Sequence, residues 1–104
     1  MAQLSARVKT VQSITYAAAG GASAPSAAFG SQTRQIRVCA LSGAAAAAGD
    51  GVRINIGDGT PVAAAGSMLL PLNTVDYFTV GPGQKIAAIS NNASTGTLNV
   101  VECV

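Results

Sequence analysis

The sequence predicts an all-β fold: an antiparallel β-sandwich or a jelly-roll-like small barrel with long Ala/Gly-rich loops. Three observations predict it. Apolar runs of strand length, rich in branched residues, recur along the chain and are closed by Gly, Pro and Asn. Several alternate apolar and polar residues with a period of two. No stretch carries a helical period long enough to persist, because the Ala44–Ala48 run falls well short of the ~12–15 residues an isolated helix needs in water. A chain of 104 residues is expected to form one domain over residues 1–104, large enough to fold without metal or disulfide staples.

Each element follows from local pattern. From Gln3 to Tyr16, Leu4, Ala6 and Val8 alternate with Ser5, Arg7 and Lys9, after which Val11, Ile14 and Tyr16 slip the phase. A strand with a bulge or bend near Gln12 is expected. Ala17–Gln32 is small and flexible in composition, so residues 1–32 read as an N-terminal strand plus a long loop used in assembly contacts. Phe29 is the one large side chain in that loop, and either caps the domain's own core or fills a pocket on a neighbouring subunit. Thr33–Leu41 reads as a strand with Ile36, Val38 and Ala40 on one face. Val52–Ile56 is the cleanest strand, and ends at the tight turn Gly57-Asp58-Gly59. Met68–Ile89 reads as a meander of buried strands broken by Asn73-Thr74 and Gly81-Pro82-Gly83. Pro71, which has no N–H to donate, places its segment at a sheet edge. Thr97–Val104 closes the chain with Leu98, Val100 and Glu102 on one face and Asn99, Val101 and Cys103 on the other.

Composition bears on function. Charged residues are 10% of the chain, against about 25% in ordinary soluble domains. Charge keeps monomers apart, so a surface this poor in it is expected to be covered by neighbours. The six basic residues are scattered and form no nucleic-acid footprint. No segment is long and apolar enough to span a bilayer, and Met1–Thr10 has no signal-like apolar stretch, so no membrane or nucleic-acid partner and synthesis in a cytoplasm are expected. Cys39 and Cys103 are then expected to be free thiols.

Catalytic chemistry finds little support. There is no histidine, which removes the commonest general base, the usual partner of Ser or Cys nucleophiles and the commonest transition-metal ligand. Asp50, Asp58, Asp76 and Glu102 stand singly. Gly49-Asp50-Gly51 and Gly57-Asp58-Gly59 lie at opposite ends of one strand, so they cannot share a calcium ion. Gly81-Pro82-Gly83-Gln84-Lys85 has a proline where a phosphate loop needs an amide donor, and lacks the Gly-Lys-Ser/Thr ending. No enzyme, no cofactor, no metal and no catalytic residue are expected. Two readings stay open: a structural β-domain built into an assembly, and a β-module of a tail or fibre that binds a ligand or host glycan on an exposed aromatic platform.

From Ala27 to the C-terminus, the order of features resembles small virion proteins of tailed bacteriophages, of the capsid decoration or cement type. The residues carrying the likeness are Ala27-Ala28-Phe29, Arg34-Gln35-Ile36-Arg37-Val38, Val52-Arg53-Ile54-Asn55-Ile56-Gly57, Met68-Leu69-Leu70-Pro71, Asp76-Tyr77-Phe78-Thr79-Val80, Gly81-Pro82-Gly83-Gln84-Lys85-Ile86-Ala87-Ala88-Ile89 and Gly96-Thr97-Leu98-Asn99-Val100. The resemblance implies a protein on the capsid surface of a virion whose partners are the phage major capsid protein and copies of itself. A homo-oligomer is expected, with a trimer as one option. Leu4, Val8 and Phe29 are the candidate assembly contacts.

Overall fold

The computed structural model describes residues 8–17, 24–42, 51–64, 66–91 and 95–103. These form eight strands: β1 (Val8–Tyr16), β2 (Ala24–Pro25), β3 (Gln35–Ser42), β4 (Gly51–Gly57), β5 (Met68–Pro71), β6 (Val75–Thr79), β7 (Lys85–Ser90) and β8 (Gly96–Cys103). They build two four-stranded antiparallel sheets, ordered β1-β8-β3-β6 and β2-β7-β4-β5. The fold is all-β, as the alternating patterns require.

The period-two strands supply the core. Ile36, Val38 and Ala40 of β3 and Leu98 and Val100 of β8 are fully buried, and they join Val52, Ile54, Ile86 and Ala88 of the second sheet in one cluster. Branched residues suit these positions because they pack well on a pleated surface. The residues with positive φ sit where the sequence places turns. Gly81-Pro82-Gly83-Gln84 is a type II turn: Pro82 presets φ, Gly83 takes φ 79°, and Gln84 N donates to Gly81 O at 3.3 Å. Asn73, at φ 60°, turns the chain between β5 and β6 while its N–H donates to Ala40 O at 2.9 Å. Asn tolerates the left-handed region better than other non-glycine residues. Asn73→Gly should therefore be nearly neutral in a thermal melt, whereas Asn73→Val should cost about 1–2 kcal/mol; equal melting temperatures for the two would contradict this account.

Three sequence expectations change. The phase slip in β1 is real, but the register shift falls between Val8 and Thr10, not near Gln12. From Thr10 onward the pairing with β8 is unbroken, so Gln12, Ile14 and Tyr16 share the inward face and Val11 is 55% exposed. Second, Met68–Ile89 is not a buried meander. β5 and β6 belong to different sheets, and each is an edge strand. Met68, Leu69 and Val75 are exposed, and only β7 of this stretch is buried along its length. Pro71 does end an edge strand, as its missing N–H demands. Third, the Ala17–Gln32 segment is not loop throughout: Ala24 and Pro25 form β2, paired with Ala88 and Ala87 of β7. The Ala44–Ala48 run and Leu4 lie outside the described residues.

Candidate assembly surface

The outward faces of the two sheets differ. On the second sheet the connection after β4 folds back over its own strands. Ala63 packs on Ala87 and Ile89 in a second buried cluster. Asn55 Nδ2 donates to Val62 O at 3.2 Å, and Arg53 Nη1 donates to Ser67 O at 3.0 Å. Arg53 Nε also donates to Asn91 Oδ1 at 2.9 Å, so this cation is spent holding the cover in place. Burying Ala87 and Ile89 this way removes their apolar area from water at about 25 cal/mol per Å².

The first sheet carries its outward residues in rows set by the register. Ser13, Asn99, Cys39 and Val75 form one row, and Val11, Val101, Arg37 and Tyr77 the next. Leu41 and Thr97 continue the face beyond them. Val11, Leu41 and Val75 are 55%, 48% and 46% exposed. Among the described side chains on this face, Arg37 is the sole charge. With one charge among aliphatic side chains, small hydroxyls and an amide, the face shares with interface cores their depletion of charge.

The sequence candidates are placed as follows. Phe29 is 3% exposed and belongs to the protein's own core. Its backbone is clamped to the β6–β7 turn, with Phe29 N donating to Gln84 O at 2.8 Å and Gly83 N donating to Phe29 O at 3.1 Å. Phe29 therefore caps this domain, and the ring is not offered to a neighbour. Val8 opens β1 opposite Cys103; its side chain, like Leu4 entirely, lies outside the described residues. Cys39 and Cys103 are free. β8 does lie beside β3, but the register sets Cys103 opposite Gln35 and Cys39 opposite Asn99, an offset of roughly 13 Å along the strand and too far for a bridge.

Sequence reasoning missed one polar centre. Glu102 is 3% exposed and faces inward. Its Oε1 accepts from Thr33 Oγ1 at 2.8 Å and from Gly30 N at 2.9 Å, and its Oε2 accepts from Gln12 Nε2 at 3.2 Å. Gln12 Oε1 in turn accepts from Ala27 N at 2.9 Å. The carboxylate thus ties the loop over residues 26–34 to β1 and β8. Such a group persists in a core only when its lone pairs are filled, and no described buried side-chain N or O lacks a partner. Its phase with Leu98 and Val100 was the available signal.

Other chemistry is sparse. Among the described residues no group of three or more Cys, Asp or Glu is placed to hold a metal. Asp58 and Asp76 are exposed and on different elements, while Glu102 is engaged in the network. A cleft of about 210 Å³ lies between Ile54, Asn55, Ile56, Ser67 and Met68, below the ~300–1,000 Å³ usual for ligand sites. Tyr16 and Phe29 are buried and Tyr77 and Phe78 are half-buried, so no ring forms an exposed platform. No helix among the described residues is long and apolar enough to cross a membrane. Compared with protein-family models, curated proteins and solved structures, the chain gives no match in any of the three.

Proposed function

We propose that the protein is a non-enzymatic virion structural protein that binds and stabilises a phage capsid as a decoration or cement protein. The observation that carries this reading is the outward face of the first sheet, which among its described side chains bears one charge and the exposed aliphatics Val11, Leu41 and Val75, whereas the β4–β5 connection folds over Ala87 and Ile89 of the second sheet. The motif order from Ala27 onward, with its resemblance to small phage virion proteins, supplies the partner class. A jelly-roll reading of the fold is supported by the pairing order, in which β1 meets β8, β2 meets β7, β3 meets β6 and β4 meets β5. That is a long hairpin rolled into two sheets.

The action is mechanical. Each copy removes apolar area from water at about 25 cal/mol per Å², less the cost of association. Repetition over a shell turns a modest contact into resistance to internal pressure. The test is co-sedimentation with tailed-phage capsids, scored by electron microscopy as added surface density. Leu41→Glu and Val75→Lys, both at exposed positions, should each weaken capsid binding about tenfold, ~1.4 kcal/mol, and leave the fold intact. Failure to bind any capsid would overturn the proposal, and full binding by both variants would move the contact off this face. Leu4 is tested separately: a chain lacking residues 1–7 keeps β1 and should bind less well.

A further inference from the structure

The four sheet edges are not equally protected against strand addition. β2 is two residues long and ends in Pro25. β5 is four residues long and ends in Pro71. On β6, Val80 N donates to Arg34 O, so the alternate groups, Tyr77 N–H among them, point away from β3. That N–H is taken by Asp76 Oδ1 at 2.9 Å, leaving one fewer donor for an incoming strand and a carboxylate beside it. Short length, proline and charge are the ordinary means of blunting an edge. β1 has none of them over most of its length. From Thr10 to Tyr16 it holds no charge, no Pro and no Gly, its register with β8 is continuous, and its bulge guards only the Val8 end. The alternate main-chain groups of Thr10–Thr15 that face away from β8 meet no strand among the described residues.

The geometry points to β1 as the edge through which two copies of this chain pair, antiparallel and about a twofold axis, joining their first sheets into one. The occupant is a second copy because a twofold axis sets a strand against its own sequence. Any charge near the axis would face itself, and like charges directly opposite destabilise a pair. β2 and β5 also lack charge but are short and end in proline, so β1 is the one edge among the described strands that meets that condition over a long, proline-free run. With the axis at Ser13, Ser13 faces its own copy and Val11 faces Thr15, so the exposed Val11 side chain gains a neighbour while the free main-chain groups find partners. The pairing does not depend on the capsid reading, since it needs only the protein itself.

Sedimentation equilibrium of the isolated protein, from the micromolar to the millimolar range, tests this. The parent should fit a monomer–dimer equilibrium. Ser13→Lys sets two ammonium groups across the axis from an exposed position, and should be monomeric throughout with an unchanged far-UV circular dichroism spectrum. Thr79→Lys, on the guarded β6 edge, should dimerise like the parent. A parent that stays monomeric, a closed trimer, or a dimer indifferent to Ser13→Lys would overturn the assignment. Should Ser13→Lys not fold, hydrogen exchange on the parent decides: β1 amides must exchange more slowly as concentration rises, and concentration-independent exchange refutes the pairing.

Discussion

Glu102→Ala should lower the melting temperature by roughly 15–25 °C, as expected for about 3–4 kcal/mol in a domain of this size. The truncation removes the acceptor for Thr33 Oγ1, on a residue with no exposed surface, and for Gly30 N. Each buried donor left without a partner costs about 1–3 kcal/mol. Gln12 Nε2 loses its carboxylate partner as well and keeps only a 3.4 Å bond to Ala27 O, which loosens the side chain that holds Ala27. Glu102→Gln is the informative control. It keeps an oxygen for Thr33 and Gly30 but sets an amide NH₂ against Gln12 Nε2, donor to donor. Gln12 cannot rotate its amide to relieve this without giving up Ala27 N. The Gln variant should therefore fall between parent and Ala. A calorimetric scan placing Glu102→Ala within about 5 °C of the parent would show that the network does not hold the loop.

Gly96→Ala should destabilise the protein by about 3 kcal/mol, the upper end for overpacking. Gly96 opens β8 between Tyr16 and Ser42. A Cβ there would fall on the Leu41 carbonyl oxygen and within 2.9 Å of Tyr16 Cζ. The same carbonyl accepts the Tyr16 hydroxyl at 3.1 Å, so the ring is held over the glycine. One obstacle is main chain and the other a ring fully enclosed by core, so neither swings aside cheaply. Adding Tyr16→Phe should not rescue the variant, because the carbonyl stays and a buried hydrogen bond is lost. Denaturant unfolding compares the three proteins, and a Gly96→Ala midpoint equal to the parent's would disprove the close approach.

Much of this fold was legible because strands buried on one face write a period of two. β3, β4 and β8 were readable with their inward residues, and Gly81-Pro82-Gly83 was readable as a turn from the special φ values it needs. The Met68–Val80 stretch misled because apolar content reports what a residue could bury, and not whether a neighbour is there. Met68, Leu69 and Val75 look like core and lie on sheet edges. Phe29 was undecided because a lone aromatic in a small-residue loop carries no period, and its place is set by main-chain bonds to Gln84 and Gly83 far along the chain. The face we propose for assembly was legible only as a shortage of charge. Locating it required the register, which decides which uncharged residues share a row and which sheet the β4–β5 connection covers.

The rolled pairing has a kinetic consequence. β8 lies between β1 and β3, so a central strand of the first sheet is the last of the eight to leave the ribosome. Until it does, β1 and β3 have no common neighbour, and the nascent polypeptide holds an unfinished apolar layer. Contacts between segments this distant in sequence make folding slow, and a half-built sheet exposed during synthesis invites aggregation. Abundant production would then depend on β8 emerging quickly or on a chaperone sheltering the gap where β8 will sit.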